Sequence, residues 1–255
     1  MEKNSTSLRS PLSPTLWPAE AFSASRVAIF ISTVAGAFIA ASLMALVAVR
    51  LDGSPALTAT RGLRLTAGLL IAQIIVYVLV LAVALPLFPY AARRTLRQLG
   101  LHAPRAADVS AGLVGALGMY VCAELAALLQ KFVFHIEGTQ ADVQLFGTTH
   151  DQRLIAGLVV VAVLLAPMFE ELLFRGFLFN AMLRYLPVGG AALISGIVFG
   201  FAHGDRTALF PLACGGVVLA VVYYRTGSLV AAMFTHGFFN LANVIIVLAM
   251  GGKIT

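Results

Sequence analysis

The chain has 255 residues, of which 60% are hydrophobic and only 11% are charged. Soluble domains are roughly 45–50% apolar and about 25% charged, so the composition argues against a soluble enzyme, a DNA-binding domain, a disordered region and a secreted disulfide scaffold. The net charge of +6 is typical of basic loops that orient a membrane protein. We therefore expect an integral membrane protein whose surroundings are the lipid bilayer and which binds no nucleic acid.

Residues 1–26 contain three prolines among polar and charged residues, which predicts a mobile N-terminal tail. The apolar stretches that follow would cross about 30 Å of hydrocarbon as helices of roughly 20 residues. They cover residues 27–49, 65–90, 109–134, 154–185, 188–203, 208–224 and 229–250. The fifth is short for a full span, whereas the fourth is long and contains Pro167, which predicts a bend or a re-entry. The sequence thus predicts an all-α, polytopic transmembrane helix bundle of about seven spans.

The charges of the loops and the two cysteines give weaker indications. Alternate loops carry nine Lys or Arg residues on the side of the N-terminus and seven on the other side. The positive-inside rule then favours a cytoplasmic N-terminus. Cys122 and Cys214 lie far apart within apolar stretches, without metal-type spacing, so we expect both to be small core residues.

The fourth stretch contains Glu170, Glu171 and Arg175 in otherwise apolar sequence. Each would cost about 2.5–3.5 kcal/mol at the bilayer centre, so these groups must be paired or solvated. Glu171 and Arg175 are four residues apart, which predicts an ion pair on one helix face. Glu170 points elsewhere, and a carboxylate without a partner in a membrane cavity suits a general base acting on water. The alternative is a buried ion pair beside a Glu170 that reaches towards the membrane surface.

Two further stretches carry polar groups at helical spacing. Phe199 and His203 share a face of the fifth stretch, and Gly196, Gly200 and Gly204 form two successive G-x-x-x-G steps that allow close helix packing. In the last stretch, His236 and Asn240 lie four residues apart and could donate hydrogen bonds to an oxyanion or to a neighbouring helix.

These costly groups all lie in the C-terminal half, which predicts a site formed by the last four spans. The first three stretches contribute one comparable residue, Glu124, which we interpret as a polar contact within the bundle and outside the site. The predicted organisation is a tail at 1–26, N-terminal transmembrane helices without a recognised motif at 27–150, and a functional core at 151–255.

The three blocks resemble the CPBP family of intramembrane proteases, which includes the endopeptidase that trims CAAX-terminated prenylated proteins and bacterial relatives linked to bacteriocin processing or immunity. The family pattern is E-E-x-x-x-R, then F-x-x-x-H, then H-x-x-x-N or D. The matching residues are Glu170, Glu171 and Arg175, then Phe199 and His203, then His236 and Asn240.

The resemblance implies an endopeptidase that hydrolyses a peptide bond in a membrane-associated peptide or protein, either of CAAX type or in bacteriocin and peptide processing. It implies that Glu170 and His203 activate a water molecule and that His236 and Asn240 stabilise the oxyanion. Glu171, Arg175 and Phe199 would support the site. It also implies an integral protein of the bacterial plasma membrane.

A divalent metal is a further implication of the resemblance, since members are commonly called metalloproteases. Glu170, His203 and His236 would then be three zinc ligands, with an open position for water. A glutamate–water mechanism without metal uses the same residues, so both mechanisms stay open.

Other functions fit the sequence less well. The chain has no G-x-S-G block of a serine protease and no G-x-G-D block of an aspartate protease. The main alternative is non-enzymatic, a bacteriocin-immunity or partner-binding membrane protein with the same fold. A small-solute carrier is disfavoured because the hydropathy pattern shows no internal repeat.

Overall fold

The computed structural model describes residues 21–51, 67–136 and 151–250, and these residues form a bundle of seven apolar helices. Six are long and apolar enough to cross a membrane, and the fifth is shorter. Their bounds are Ala24–Leu51 (α1), Ala67–Ala92 (α2), Ala106–Phe134 (α3), Gln152–Leu183 (α4), Val188–Ala202 (α5), Leu209–Thr226 (α6) and Leu229–Ala249 (α7). The predicted bundle of about seven spans is confirmed; most of the predicted tail lies outside the described residues.

Helix α4 accommodates Pro167 without a re-entry. An α-helical segment, Ala166–Glu171, lies between two π-helical segments, Val161–Leu165 and Leu172–Phe179. Pro167 occupies the start of the middle segment, where its missing N–H is tolerated, and the wider π turn before it absorbs the lost backbone bond. The helix therefore runs through the bundle as one element and carries its polar residues in and beside the second π turn.

Lipid-facing residues cover the outside of the bundle. On α3, Leu117, Val121, Leu125 and Leu128 are all about half exposed or more and follow one another at helical spacing. Cys122 is exposed beside them, and Cys214 is half-buried. The prediction that both cysteines are core residues is therefore wrong, because an apolar stretch in a membrane helix turns much of its surface to lipid rather than to the core.

Hydrogen bonds join the helix ends at one end of the bundle. The Phe22 N–H donates to the carbonyl of Ala91, and the Leu229 N–H donates to the carbonyl of Gly100. The Ser228 hydroxyl donates to the Asp108 carboxylate at 2.6 Å, which links the starts of α3 and α7. This end, formed by the starts of α1, α3, α5 and α7 and the ends of α2, α4 and α6, is called the arginine face below.

Helices α5 and α6 approach each other very closely. A Cβ atom built on Gly196 would lie 2.6 Å from the Ala213 carbonyl oxygen, and one on Gly216 would lie 2.8 Å from the Gly196 Cα. The predicted close packing is thus confirmed for Gly196, and Gly200 meets the Leu209 carbonyl oxygen at 2.7 Å in the same way. Gly204 departs from the prediction: it lies beyond the helix with φ +66° and has nothing within 4 Å, so it ends α5 and does not pack.

Candidate active site

The predicted pair of Glu171 and Arg175 forms a fully buried ion pair. Arg175 Nη1 donates to Glu171 Oε1 at 2.9 Å, and both side chains are 0% exposed. Arg175 Nη2 donates to the carbonyl of Gly216 at 2.8 Å, so the guanidinium also ties α4 to α6. Burial of this charge is tolerated because its hydrogen bonds are made to a carboxylate and a backbone carbonyl at good distances.

Phe199 lies between the charged pair and the histidines. The Arg175 guanidinium lies 4.7 Å from the centroid of the Phe199 ring. The same ring contacts the His203 ring at 4.8 Å and the His236 ring at 5.7 Å between centroids. Phe199 is completely buried, so its ring fixes the spacing between α4, α5 and α7 at this point.

Glu170 faces the two histidines from α4. Its Oε2 lies 3.8 Å from His203 Nε2 and 3.9 Å from His236 Nε2. Within the described residues, this oxygen is buried and has no hydrogen-bond partner. The three side chains thus come from three different helices and converge on one point, as expected for a site that binds a small polar molecule between them.

The hydrogen bonds of the histidines determine which nitrogen faces Glu170. His203 Nδ1 lies 2.8 Å from the backbone carbonyl of Phe199, and a carbonyl only accepts, so Nδ1 carries a proton. His236 Nδ1 lies 3.0 Å from Glu171 Oε1, and a carboxylate already paired with Arg175 likewise accepts. Both Nε2 atoms therefore point at Glu170, and each presents a lone pair when its ring is neutral.

Asn240 is committed to a neighbouring helix. Its Nδ2 donates to the Ala162 carbonyl at 2.7 Å. In the π register this carbonyl would pair with residue 167, but Pro167 has no N–H, so the asparagine satisfies a carbonyl that the proline leaves open. Asn240 lines the same cavity as the histidines, with one of its two N–H groups engaged in holding α7 against α4.

A second buried network, which the sequence analysis did not assign, stabilises the π turn around Arg175. Asn180 Nδ2 lies 2.9 Å from the Arg175 carbonyl, 3.0 Å from the Gly176 carbonyl and 2.9 Å from the Tyr223 hydroxyl. The Tyr223 hydroxyl donates to the Leu99 carbonyl at 3.0 Å. A polar residue five positions after Arg175 in an apolar stretch is the sequence feature that points to this network.

The site opens into a cavity of about 1270 Å³ that reaches all seven helices. Glu170, His203, His236 and Asn240 are among its lining residues, and most of the others are apolar. Glu124 of α3 also lines it and is exposed to it. Glu124 was expected to make a polar contact within the bundle, whereas its position on α3 places it on the cavity wall. An ionisable residue in an apolar span was the available indication.

The predicted zinc ligands do not fit the ion at their separations in the structure. Among residues 21–51, 67–136 and 151–250, no group of three His, Cys, Asp or Glu side chains is arranged to hold a metal. A tetrahedral zinc site with ligands at about 2.0–2.1 Å has ligand atoms roughly 3.3 Å apart, whereas Glu170 Oε2 lies 3.8 and 3.9 Å from the two Nε2 atoms. The separations suit a water molecule that hydrogen-bonds to each group.

Comparisons with known proteins agree with the three motifs. The family described as type II CAAX prenyl endopeptidase Rce1-like matches residues 152–242. A Bacillus subtilis (strain 168) protein named "Putative membrane peptidase YdiL" is 28% identical over 125 residues, which cover 48% of this chain and 49% of that protein. The match thus spans about half the length of this relative, and no solved structure matches the chain. Residues 152–242, which carry all three motifs, are thus similar to the type II CAAX prenyl endopeptidase Rce1-like family.

Proposed function

We propose that the protein is an intramembrane endopeptidase that hydrolyses a peptide bond in a membrane-associated substrate with a water molecule activated by Glu170. One observation carries the proposal: the Glu170 carboxylate has an oxygen without a partner, and it faces the Nε2 atoms of His203 and His236 at 3.8 and 3.9 Å. An unpaired carboxylate within a span costs about 2.5–3.5 kcal/mol unless it is solvated. A catalytic water in the cavity accounts for its presence.

In the proposed reaction, a water molecule lies between Glu170 and His203 and donates a hydrogen bond to each. Glu170 accepts a proton as the water oxygen attacks the carbonyl carbon of the peptide bond, which gives a tetrahedral intermediate with a negatively charged oxygen. The carbon–nitrogen bond then breaks, and the proton passes from Glu170 to the leaving amine. The products are a carboxylic acid and an amine, which exchange a proton to become a carboxylate and an ammonium group, and Glu170 is ionised again.

His236 stabilises the oxyanion in this proposal, provided that its ring is protonated. A neutral ring whose Nδ1 donates to Glu171 presents only a lone pair at Nε2, whereas the imidazolium donates from both nitrogens. The Glu171 carboxylate, at 3.0 Å from Nδ1, holds the ring in orientation. Asn240 contributes its second N–H, because the first is bonded to the Ala162 carbonyl.

The mechanism needs no metal, and we propose the glutamate–water form over the metal-dependent one because of the ligand separations described above. At the level of the matched family, the proposed substrate is a CAAX-type or other processed peptide. The large, mostly apolar cavity is suited to a peptide that carries apolar side chains or a lipid.

Comparative proteomics of a deletion strain tests the proposed activity and also finds the substrate. The strain is complemented with the wild-type chain, with Glu170→Gln or with Asp151→Asn. Asp151 caps the start of α4 by accepting from the Arg153 N–H, and asparagine caps equally well, so this variant applies the same chemical change to the same helix. We expect processed products with the wild type and Asp151→Asn but not with Glu170→Gln. Normal processing by Glu170→Gln would contradict the proposal.

A further inference from the structure

Glu124 is a carboxylate deep within an apolar span. It lies about 15 Å before the end of α3 at Phe134, which is too far for its side chain to reach the membrane surface. A carboxylate at such a depth must be paired or solvated. Among residues 21–51, 67–136 and 151–250, Glu124 has no hydrogen-bond or ion-pair partner. The described part of the chain therefore leaves this carboxylate for solvent or a ligand.

Glu124 lines the cavity at the edge of its wall. Ala123 and Ala127 of the same helix also line the cavity, whereas Leu125 is 61% exposed on the lipid-facing side of α3. Glu124 itself is exposed, and the cavity is where water can reach it. A substrate segment that fills the cavity therefore meets this carboxylate.

Helix α7 places a second polar group at the level of Glu124. The rings of Tyr120 and Phe239 pack at 6.3 Å between centroids and set α3 against α7. Glu124 follows Tyr120 by one turn and Asn243 follows Phe239 by one turn, and because the two helices run in the same direction, Glu124 and Asn243 lie at the same level. Asn243 Nδ2 donates to the Phe239 carbonyl at 3.1 Å. Its Oδ1 is left to accept a hydrogen bond in the cavity, which Asn243 also lines.

The cavity wall offers hydrogen-bond acceptors but, within the described residues, no lysine or arginine. Gln73 of α2 is exposed and lines the cavity, and its amide has no partner in the same part of the chain. The acidic and basic lining residues are Glu124, Glu170, His203 and His236. Arg175 does not line the cavity and is bonded to Glu171. A carboxylate and amide oxygens without a cation opposite them bind an ammonium or guanidinium group through charge-assisted hydrogen bonds.

We propose that Glu124 is a specificity-determining residue that binds a basic side chain of the substrate, lysine or arginine, with the Asn243 and Gln73 carbonyl oxygens as further acceptors. This inference rests on the proposed function for the word substrate, but the binding of the cation does not depend on catalysis. It selects, among apolar peptides that fit the cavity, those that carry a positive charge at one position.

The structure also gives the distance of that position from the scissile bond. Asn243 lies two turns, about 10 Å, beyond His236 along α7. An extended peptide advances about 3.3 Å per residue. Glu124, at the level of Asn243, would therefore meet a side chain about three residues from the bond that is cleaved.

Thiol modification tests the charge that Glu124 brings to the cavity. In the full chain with Cys122→Ala and Cys214→Ala, Ala127→Cys places a thiol in the cavity wall one turn after Glu124, and Ala103→Cys places one on an exposed loop at the arginine face. Each thiol reacts in detergent micelles with two methanethiosulfonates of similar size, the trimethylammonium-ethyl and the sulfonato-ethyl reagent. Size-exclusion chromatography shows that each variant is folded.

We expect Glu124→Gln to lower the ratio of the cationic to the anionic reaction rate at Ala127→Cys by about fivefold or more, because the carboxylate lies one turn away. The ratio at Ala103→Cys should stay the same. A change in the reactivity of the thiol itself affects both reagents equally and cancels in the ratio. An unchanged ratio at Ala127→Cys would overturn the proposal.

Peptide protection of the same thiol tests recognition of a basic side chain. The probes are three peptides of alanine and leucine with a central lysine, norleucine or glutamate, and each competes with N-ethylmaleimide for Ala127→Cys. We expect the lysine peptide to protect at a concentration about tenfold lower than the norleucine peptide, and Glu124→Gln to remove this difference. Equal protection by these two peptides, a preference that survives Glu124→Gln, or no protection by any peptide would overturn the proposal.

All of these variants also carry Glu170→Gln, so that binding is measured without cleavage. The outcome is then the same whether or not Glu170 acts as a general base. Failure of the proposed catalysis is detected only in the processing experiment above, and failure of cation recognition only here, so that the two are distinguishable.

Discussion

Replacement of Gly196 by alanine is expected to separate α5 from α6 and to weaken the site at a distance. Gly196 contacts α6 where the Gly216 carbonyl accepts from Arg175 Nη2 at 2.8 Å. The same helix α5 carries Phe199 and His203. A small shift of α5 would therefore disturb both the buried ion pair and the position of His203 opposite Glu170.

The size of the effect follows from the backbone contacts. The added Cβ would lie 2.6 Å from the Ala213 carbonyl oxygen and 2.9 Å from the Val217 nitrogen. Ordinary contact begins at 3.4 Å, so the helices must separate by about 0.8 Å, since backbone atoms cannot rotate away. Overpacking of this kind costs about 1–3 kcal/mol, and the better helix propensity of alanine offsets up to about 1 kcal/mol.

Gly118→Ala is the matched control. Gly118 also lies within a helix that faces α6, but its nearest contact would be the Val218 side chain at 4.0 Å. The propensity gain is similar in both variants, so the difference between them reports the contact alone: about 1–3 kcal/mol in the free energy of unfolding. Unfolding in mixed detergent micelles measures this difference. Equal stability of the two variants would refute the close packing of α5 on α6.

Three further outcomes are expected. Asn240→Ala lowers the free energy of unfolding by about 0.6–1.7 kcal/mol because it removes an interhelical hydrogen bond. Asn243→Ala has a smaller effect because the Asn243 amide bonds within its own helix. A larger loss of stability for Asn243→Ala than for Asn240→Ala would contradict the role assigned to Asn240. Arg175→Met lowers the free energy of unfolding by about 3–5 kcal/mol because it leaves Glu171 buried without its cation. Adding Glu171→Gln to Arg175→Met should recover part of the lost stability. A double variant whose loss equals the sum of the two single losses would contradict the coupling of the two side chains. Dialysis against a strong chelator should leave the rate of proteolysis unchanged. The glutamate–water form would be contradicted if mass spectrometry found one metal ion per chain and removal of that ion abolished activity.

Periodicity and the cost of burying charge were sufficient to predict the helices and the ion pair within α4. The ion pair of Glu171 and Arg175 follows from their spacing, and the isolation of Glu170 follows from its different direction on the helix. These relationships depend on neighbouring residues of one helix, so a sequence carries them directly. The alternation of spans also located the arginine-rich loop between α2 and α3.

Relationships between helices could not be predicted in the same way. The bond from Asn240 to the Ala162 carbonyl depends on a π turn before Pro167, and an α-helical periodicity does not contain that turn. The link between His236 and Glu171 joins residues far apart in the chain. The position of Glu124 on the cavity wall could not be predicted because hydropathy marks a span without indicating which of its faces borders a cavity.

The cleavage rate of an identified substrate by the purified chain in liposomes tests the central claim most directly. General base catalysis typically contributes a factor of about 10²–10⁴, so Glu170→Gln should lower kcat by at least about 100-fold, while Asp151→Asn retains the wild-type rate. Unfolding measurements in the same liposome preparation show that Glu170→Gln is folded. A folded Glu170→Gln variant that cleaves the substrate at the wild-type rate would contradict the account.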